Sequence, residues 1–408
     1  MATISPVKET RSPPSRIAAL VAAQEPGRGL AGAFYSDPEI YERDLQRIFH
    51  RHWLCAGHAS SAARPGDYLT VAIAGERVII ARGEDGALNA MLNVCRHRGS
   101  VVCTEAAGHA EFFVCPYHAW SYGLDGSLKA ARHMPRGFDL AAHGLKRLHL
   151  REAEGLLFLS FAATPLDFAP VEETVRASCG RYGWSAAKVA HRETYAIEAN
   201  WKLAVENYVE CYHCSPAHPE YSRLHALEQP LPRIEKLNAR MRERTRALGI
   251  EVETRDLWRS SEGGAETIDC FRYALYEGVA TGSPDGKPVA PLMGDFTDYD
   301  GGVTSIHVGG ASFLLAYPDH GIVYRFTPKG LESCEMELIW LVRGDAREGI
   351  DYDRARLVWL WQVTSEADKR IIEGAQRGVR SRFFEPGPLA PMEYNERRYI
   401  EWYLREIA

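Results

Sequence analysis

The period of apolar and polar positions changes along this chain, and the changes mark its organisation. Between residues 66 and 128, short apolar runs (Tyr68-Leu-Thr-Val-Ala-Ile73, Arg77-Val-Ile-Ile-Ala81, Phe112-Phe-Val114) alternate with the turn formers Gly66-Asp67, Glu84-Asp-Gly86 and Asp125-Gly126. Such runs, broken by Asp-Gly turns, predict a small antiparallel β domain. The run Gly155-Leu-Leu-Phe-Leu-Ser-Phe161 closes it as a buried strand. Ahead of it, residues 37–53 have a capping Asp, an early Pro and apolar residues at helical spacing, which predicts a helix. Residues 1 to about 30 mix Pro, Ser and charge, as expected of a tail followed by one helix.

Past residue 160 the pattern predicts strands near 192–199, 312–317, 322–328 and 333–342, with helices near 201–214, 219–227 and 351–378. An antiparallel sheet with helices on one side, an α+β layout, fits this order better than alternating βαβ units. The expected divisions are 1–53, an N-terminal tail and helices; 54–160, the β domain; and 161–408, a second domain on which the N-terminal helices pack. Gly27-Arg-Gly29-Leu-Ala-Gly32 matches a dinucleotide fingerprint letter by letter, but it follows Pro26 rather than a strand and opens no helix.

Composition narrows the class. The 408 residues, 25% charged and 46% hydrophobic, describe an ordinary globular chain of two domains or one large domain with an insertion. A net charge of -6 gives no reason to expect nucleic acid or an anionic membrane as partner. The apolar stretch Ile17-Ala-Ala-Leu-Val-Ala-Ala23 is too short to span a bilayer and lacks the features of a signal peptide. Nine cysteines without a paired framework point to a reducing cytoplasm.

The candidate chemistry begins with Cys95-Arg-His97 and, after 17 intervening residues, Cys115-Pro-Tyr-His118. Two thiolates and two imidazoles divided this way can hold the irons of a 2Fe-2S cluster unequally, sulfur on one and nitrogen on the other. A structural zinc site is the alternative, but zinc modules usually pair Cys with Cys and His with His. A second set lies in 200–220. Asn207, Glu210 and His213 are three apart and expected on one helix face, while Pro216 ends the helix and sets His218 on the following turn. Two His and one carboxylate leave open positions on ferrous iron for oxygen beside substrate. The third ligand is sought on the C-terminal helix, where Asp368 is either that ligand or a local cap partner of Ser365. Cys211 and Cys214 frame His213 as Cys-x-x-Cys and are expected to be packing residues.

Cys95-Arg-His97-Arg-Gly99 and Cys115-Pro-Tyr-His118-Ala-Trp120 resemble the two halves of the Rieske motif of Rieske non-heme iron oxygenases. The resemblance implies an antiparallel β Rieske domain before a helix-on-sheet, helix-grip-like catalytic domain. It puts Cys95 and Cys115 on one iron and His97 and His118 on the other. It makes His213, His218 and Asp368 the ligands of a mononuclear Fe(2+), because the run from Asp368 through Glu373 to Gln376-Arg-Gly378 matches the family's C-terminal pattern. Glu210 stands where many members have a bridging Asp, which resembles the branch that oxidises carnitine and betaines; Glu210 and Asn207 are the expected catalytic residues.

The same resemblance implies a homotrimer, with electrons crossing to the neighbouring subunit through Glu210. O2 is the co-substrate, and with no flavin or nicotinamide motif in the chain, a separate NAD(P)H-dependent flavin or ferredoxin-type reductase is required. Residues 270–294 are similar to the equivalent segment of glycine betaine and stachydrine (proline betaine) demethylases. Phe271, Tyr273, Tyr276 and His307 are the expected contacts to a small quaternary ammonium substrate, since each aromatic face attracts such a cation by about 0.5–2 kcal/mol. Sheet core is the competing role for these residues. The expected reaction is hydroxylation of a betaine N-methyl group with release of formaldehyde. Its rivals are aromatic-ring dihydroxylation, a Rieske electron carrier, and a zinc-stabilised binding module.

Overall fold

The computed structural model describes residues 16–227, 230–252, 255–259 and 264–408. Alternation along the strand Glu76–Arg82 decides how two layers share one sheet. Val78 and Ile80 face the main core of the molecule with Leu69, Val71 and Ile73, whereas Ile79 and Ala81 face a smaller core that contains Cys95, Cys115, Trp120 and Tyr122. This antiparallel sheet runs Leu88–Leu92, Glu76–Arg82, Asp67–Ile73, Ala107–His109, and a second one runs Phe112–Val114, Ser121–Gly123, Leu128–Ala130. The Asp-Gly turns fall between strands as expected, with Gly86 and Gly126 at positive φ. Leu54–His58, Leu156–Ser160 and His149–Ala153 form a third small sheet, whose central strand, Leu156–Ser160 within the run at 155–161, is fully buried.

The second half is built on a seven-stranded antiparallel sheet. Its order is Ala187–Ile197, Ser333–Arg343, Gly321–Gly330, Ser312–Ala316, Gly302–Val308, Ile268–Ala274, Arg255–Arg259. Two helices lie against it, Trp201–Val209 and the 26-residue Arg354–Val379, and each contacts the other. Their ends are fixed by capping: Asn200 Oδ1 accepts from Lys202 N at 3.1 Å, and Asp353 Oδ1 accepts from Arg356 N at 2.8 Å. Helix-on-sheet α+β architecture is what the sequence predicts.

The strands Ile268–Ala274, Gly302–Val308 and Arg255–Arg259 go beyond the four expected, as do the helices Ala169–Cys179, Leu231–Ala247 and Tyr394–Ile407. The helix predicted over 37–53 is Pro38–Asp44, capped by Asp37, followed by a π-helical turn Leu45–Phe49. The predicted tail up to residue 15 lies outside the described residues. Contrary to the sequence reading, a four-residue helix, Ala33–Ser36, does open at Gly32, but the element before Gly27 is the helix Arg16–Ala23 rather than a strand, so the strand-turn-helix a dinucleotide needs is absent there. Among the described residues no helix is long and apolar enough to cross a membrane.

One expectation needs correction. The helix from Trp201 does not continue to Cys214: it stops at Val209, and Glu210 is extended at φ -124°, ψ 167°. Asn207 is therefore on the helix while Glu210 and His213 are on the turn after it, so the three do not share a helix face. The chain re-enters helix at Cys214–Ala217 with Pro216 inside it, and His218 stands at the junction with Pro219–Ser222.

The helix Trp201–Val209 is anchored from below by charge. Lys202 and Asp44 are both fully buried and paired. Trp201 Nε1 and Tyr403 Oη also donate to the Asp44 carboxylate, at 3.1 and 2.7 Å. A buried carboxylate needs such partners, and here they tie three helices together.

Candidate metal centres

Two loops of one shape carry the first set of predicted ligands. Gly99 N donates to Cys95 O and Ala119 N to Cys115 O, each at 3.0 Å, so both loops close four residues after the cysteine. That closure puts Gly99 at φ 77° and Ala119 at φ 57°. Glycine takes that conformation freely, while alanine accepts strain of about 1–2 kcal/mol. Both thiols are buried, in the small core with Tyr122 and Trp120. Burial opposes ionisation of Cys95, but the Tyr122 hydroxyl at 3.2 Å and the backbone N–H groups of His97 and Arg98 hold it below the ordinary thiol range. A thiol so surrounded is prepared to be a thiolate ligand. The His97 and His118 rings stand at the surface with centroids 4.6 Å apart, His97 stacked on Trp120. Two inner sulfurs and two outer imidazoles fit a cluster whose nitrogen-ligated iron faces outward.

The second set converges on one point. His218 Nε2 is 3.0 Å and His213 Nε2 3.3 Å from the same oxygen, Asp368 Oδ1. Both ring nitrogens of His218 and this Asp368 oxygen are buried without a hydrogen-bond partner. Buried polar atoms left unpaired and gathered together fit a metal ion, and this donor set suits ferrous iron. Asp368 lies in mid-helix, far from the cap at Asp353, so the cap role considered for it with Ser365 does not arise. Glu210 Oε1 is 2.5 Å from His213 Nδ1, and its other oxygen accepts from Tyr212 N. Although burial works against the charged ring, Asp368 and Glu210 push the His213 pKa up to about 9.

Behind His218, Tyr221 stacks on His225, with ring centroids 3.8 Å apart. His225 Nδ1 donates to Tyr221 O at 2.9 Å, which leaves Nε2 to accept from the Tyr317 hydroxyl at 2.7 Å. Burial pushes this imidazole down to about 3, so it is a neutral buttress.

A cavity of about 410 Å³ shares its wall with His213, His218 and Asp368. Asn207, Glu210, Phe271, Tyr273 and His307, all singled out from sequence, line it. Tyr276 does not: it lies beyond the strand end at Ala274 and packs against Ala226, Leu237 and Met241. His307 is buried and neutral, pushed down to about 3 by that burial. The aromatic wall also contains Tyr208, Tyr221, Tyr324 and Trp361, which sequence reasoning passed over. A signal for Trp361 existed, because it precedes Asp368 by seven residues, two turns along one helix face. Cys211 and Cys214 pack in the main core as expected, and their sulfurs are also bonded to each other.

Comparison with known proteins agrees with this geometry. Residues 52–148 match the Rieske 2Fe-2S domain, and residues 185–408 match the ring hydroxylating alpha subunit (catalytic domain). The glycine betaine monooxygenase oxygenase subunit of Chromohalobacter salexigens is 35% identical over 376 residues, 91% of this chain and 84% of that one. The carnitine monooxygenase oxygenase subunit of Acinetobacter baumannii is 37% identical over 195 residues, 46% of this chain and 52% of the relative. A solved quaternary ammonium Rieske monooxygenase, described for carnitine oxidation by gut microbiota and inter-subunit electron transfer, shares the fold. It superposes with a TM-score of 0.70 at 22% identity, covering 95% of this chain and 96% of the other. The chain belongs to the ring-hydroxylating alpha-subunit family of Rieske oxygenases, whose cofactors are a Rieske 2Fe-2S cluster and a mononuclear iron.

Proposed function

We propose that this chain is the oxygenase component of a Rieske monooxygenase that hydroxylates an N-methyl group of a betaine-type quaternary ammonium compound, with stachydrine and glycine betaine the first candidates. The carrying observation is the aromatic cavity beside His213, His218 and Asp368. A quaternary ammonium has no N–H to donate, so it is recognised through ring faces rather than hydrogen-bond acceptors. The relatives named for glycine betaine and carnitine support the same substrate class.

In this reading Cys95, Cys115, His97 and His118 hold the cluster, and His213, His218 and Asp368 hold the iron. Glu210 accepts from His213 Nδ1 and, in a homotrimer, from a cluster histidine of the neighbouring subunit. The outward position of His97 and His118 suits such a contact. Asn207 and Glu210 both line the cavity that the substrate would occupy. When bound, the iron would supply oxygen activation, and a separate NAD(P)H-dependent reductase in the cytoplasm would supply the electrons. The substrate's C–H bond, O2, two electrons and two protons give N–CH2OH and water. The carbinolamine then loses formaldehyde and a proton, leaving a tertiary amine.

The experiment is a single turnover of chemically reduced protein, exposed to O2 with a panel of methylated ammonium compounds. Formaldehyde equal to the substrate consumed is expected. No formaldehyde from any of them rejects the proposal, and a dihydrodiol from an arene assigns ring hydroxylation instead.

A further inference from the structure

Cys211 and Cys214 stand on either side of His213, and both line the cavity. Their Cα atoms are 5.0 Å apart, and Cys214 N donates to Cys211 O at 3.2 Å. The backbone turn therefore holds the two side chains within bonding reach, since disulfides span about 4.4–6.8 Å between Cα atoms. The Cys214 sulfur and ring nitrogens of His213 and His218 all lie within 4.8 Å of one another. Cys55, Cys179, Cys270 and Cys334 are buried and outside any disulfide, and burial pushes the Cys55 thiol up to about 11 and that of Cys334 up to about 12. Those four are poor nucleophiles. Disulfides in reducing compartments are usually transient and redox-sensing.

We propose that Cys211 and Cys214 form a reversible oxidation site, converted from dithiol to disulfide by hydrogen peroxide released into the cavity when oxygen is reduced without substrate hydroxylation. One sulfur attacks a peroxide oxygen, giving a sulfenic acid and water. The second thiol displaces that hydroxyl as a second water and closes the S–S bond. The two thiols lose two electrons and two protons, and the peroxide gains both. A cellular dithiol reverses the step by thiol–disulfide exchange. The pair thus intercepts oxidant at the ring nitrogens of His213 and His218. The source of the peroxide rests on the iron assignment above; the chemistry of the pair does not.

The test maps cysteines by mass spectrometry after alkylation. Holoenzyme is reduced with dithiothreitol, freed of it, and exposed either to added hydrogen peroxide or to reductant and O2 without substrate. In both arms the two alkylatable thiols at Cys211 and Cys214 should be lost to one linked peptide while Cys55, Cys179, Cys270 and Cys334 stay alkylated, and dithiothreitol should restore both. A pair that stays alkylated under added peroxide, or passes to sulfinic acid without linking, overturns the proposal. Linking under added peroxide but not under uncoupled turnover overturns the peroxide source and implicates the iron assignment. In Cys211→Ser, Cys214 should oxidise beyond recovery; recovery equal to the parent protein would remove the protective role.

Discussion

Glu210 and His213 meet at 2.5 Å, Oε1 to Nδ1, in a turn that has already left the helix. His213 is thus held at one ring nitrogen by Glu210 and faces Asp368 with the other. A carboxylate placed behind a ligating imidazole fixes its tautomer and tunes its metal. Glu210→Gln keeps the shape and removes the charge, and turnover should fall by about 10- to 100-fold. Cluster absorption should be unchanged, and Glu210→Asp should recover part of the rate. An unchanged rate in Glu210→Gln would leave the residue without a role in electron entry.

Asp368 carries the only carboxylate oxygen that both His213 and His218 approach among the described residues, and that oxygen has no hydrogen-bond partner. Asp368→Ala should lose the mononuclear iron and all turnover while retaining the cluster and its visible spectrum. Metal analysis beside the absorption spectrum checks both halves. Retained iron with retained activity would move the ligand elsewhere.

Phe271 is half-buried on the cavity wall, edge-on to His307 at 5.4 Å between ring centroids. Phe271→Leu keeps an apolar side chain and removes the aromatic face. The loss of about 0.5–2 kcal/mol should raise KM for a betaine by about 2- to 30-fold with kcat little changed. Steady-state kinetics separate the two constants, and a change in kcat alone would mark Phe271 as a packing residue.

Lys202→Met leaves the Asp44 carboxylate buried without its cation. Such a loss costs about 3–5 kcal/mol. Urea unfolding should show it, and the double change Lys202→Met with Asp44→Leu should return most of that stability.

The candidate metal centres were legible because the spacing of their side chains is local. Cys95-x-His97 and Cys115-x-x-His118 each sit on one short loop, and His213 and His218 flank one four-residue helix. Asp368, 150 residues further on than His218, was reachable only through resemblance to the family. The cavity wall was half legible. Phe271 and Tyr273 alternate on one strand, but Tyr208, Tyr324 and Trp361 come from two helices and another strand that only tertiary packing brings together. The helix Leu231–Ala247 was missed because its buried stripe is only Leu237, Met241 and Thr245 amid charges. The helix break at Val209 was also hidden, since Glu210-Cys-Tyr-His213 carries neither Gly nor Pro.

Glu206 gives the stability of this site's helix a pH dependence. Its Oε2 accepts from the Tyr35 hydroxyl at 2.8 Å, and its Oε1 is buried without a partner. Lys202, one turn earlier, is already paired with Asp44, and Glu396 adds a nearby acid from the C-terminal helix. Burial pushes the Glu206 carboxyl up to about 8 from its ordinary 4.5. The folded chain therefore keeps a proton that the unfolded chain releases above about pH 4.5. The stability from this group is fully present below that pH and is lost as pH rises towards about 8, after which the loss is level. Glu206→Gln holds the neutral form at every pH. Urea midpoints across about pH 5 to pH 8 should fall less steeply in the variant than in the parent. Parallel profiles would mean that Glu206 is ionised in the folded protein and has a counter-charge that its buried setting does not display.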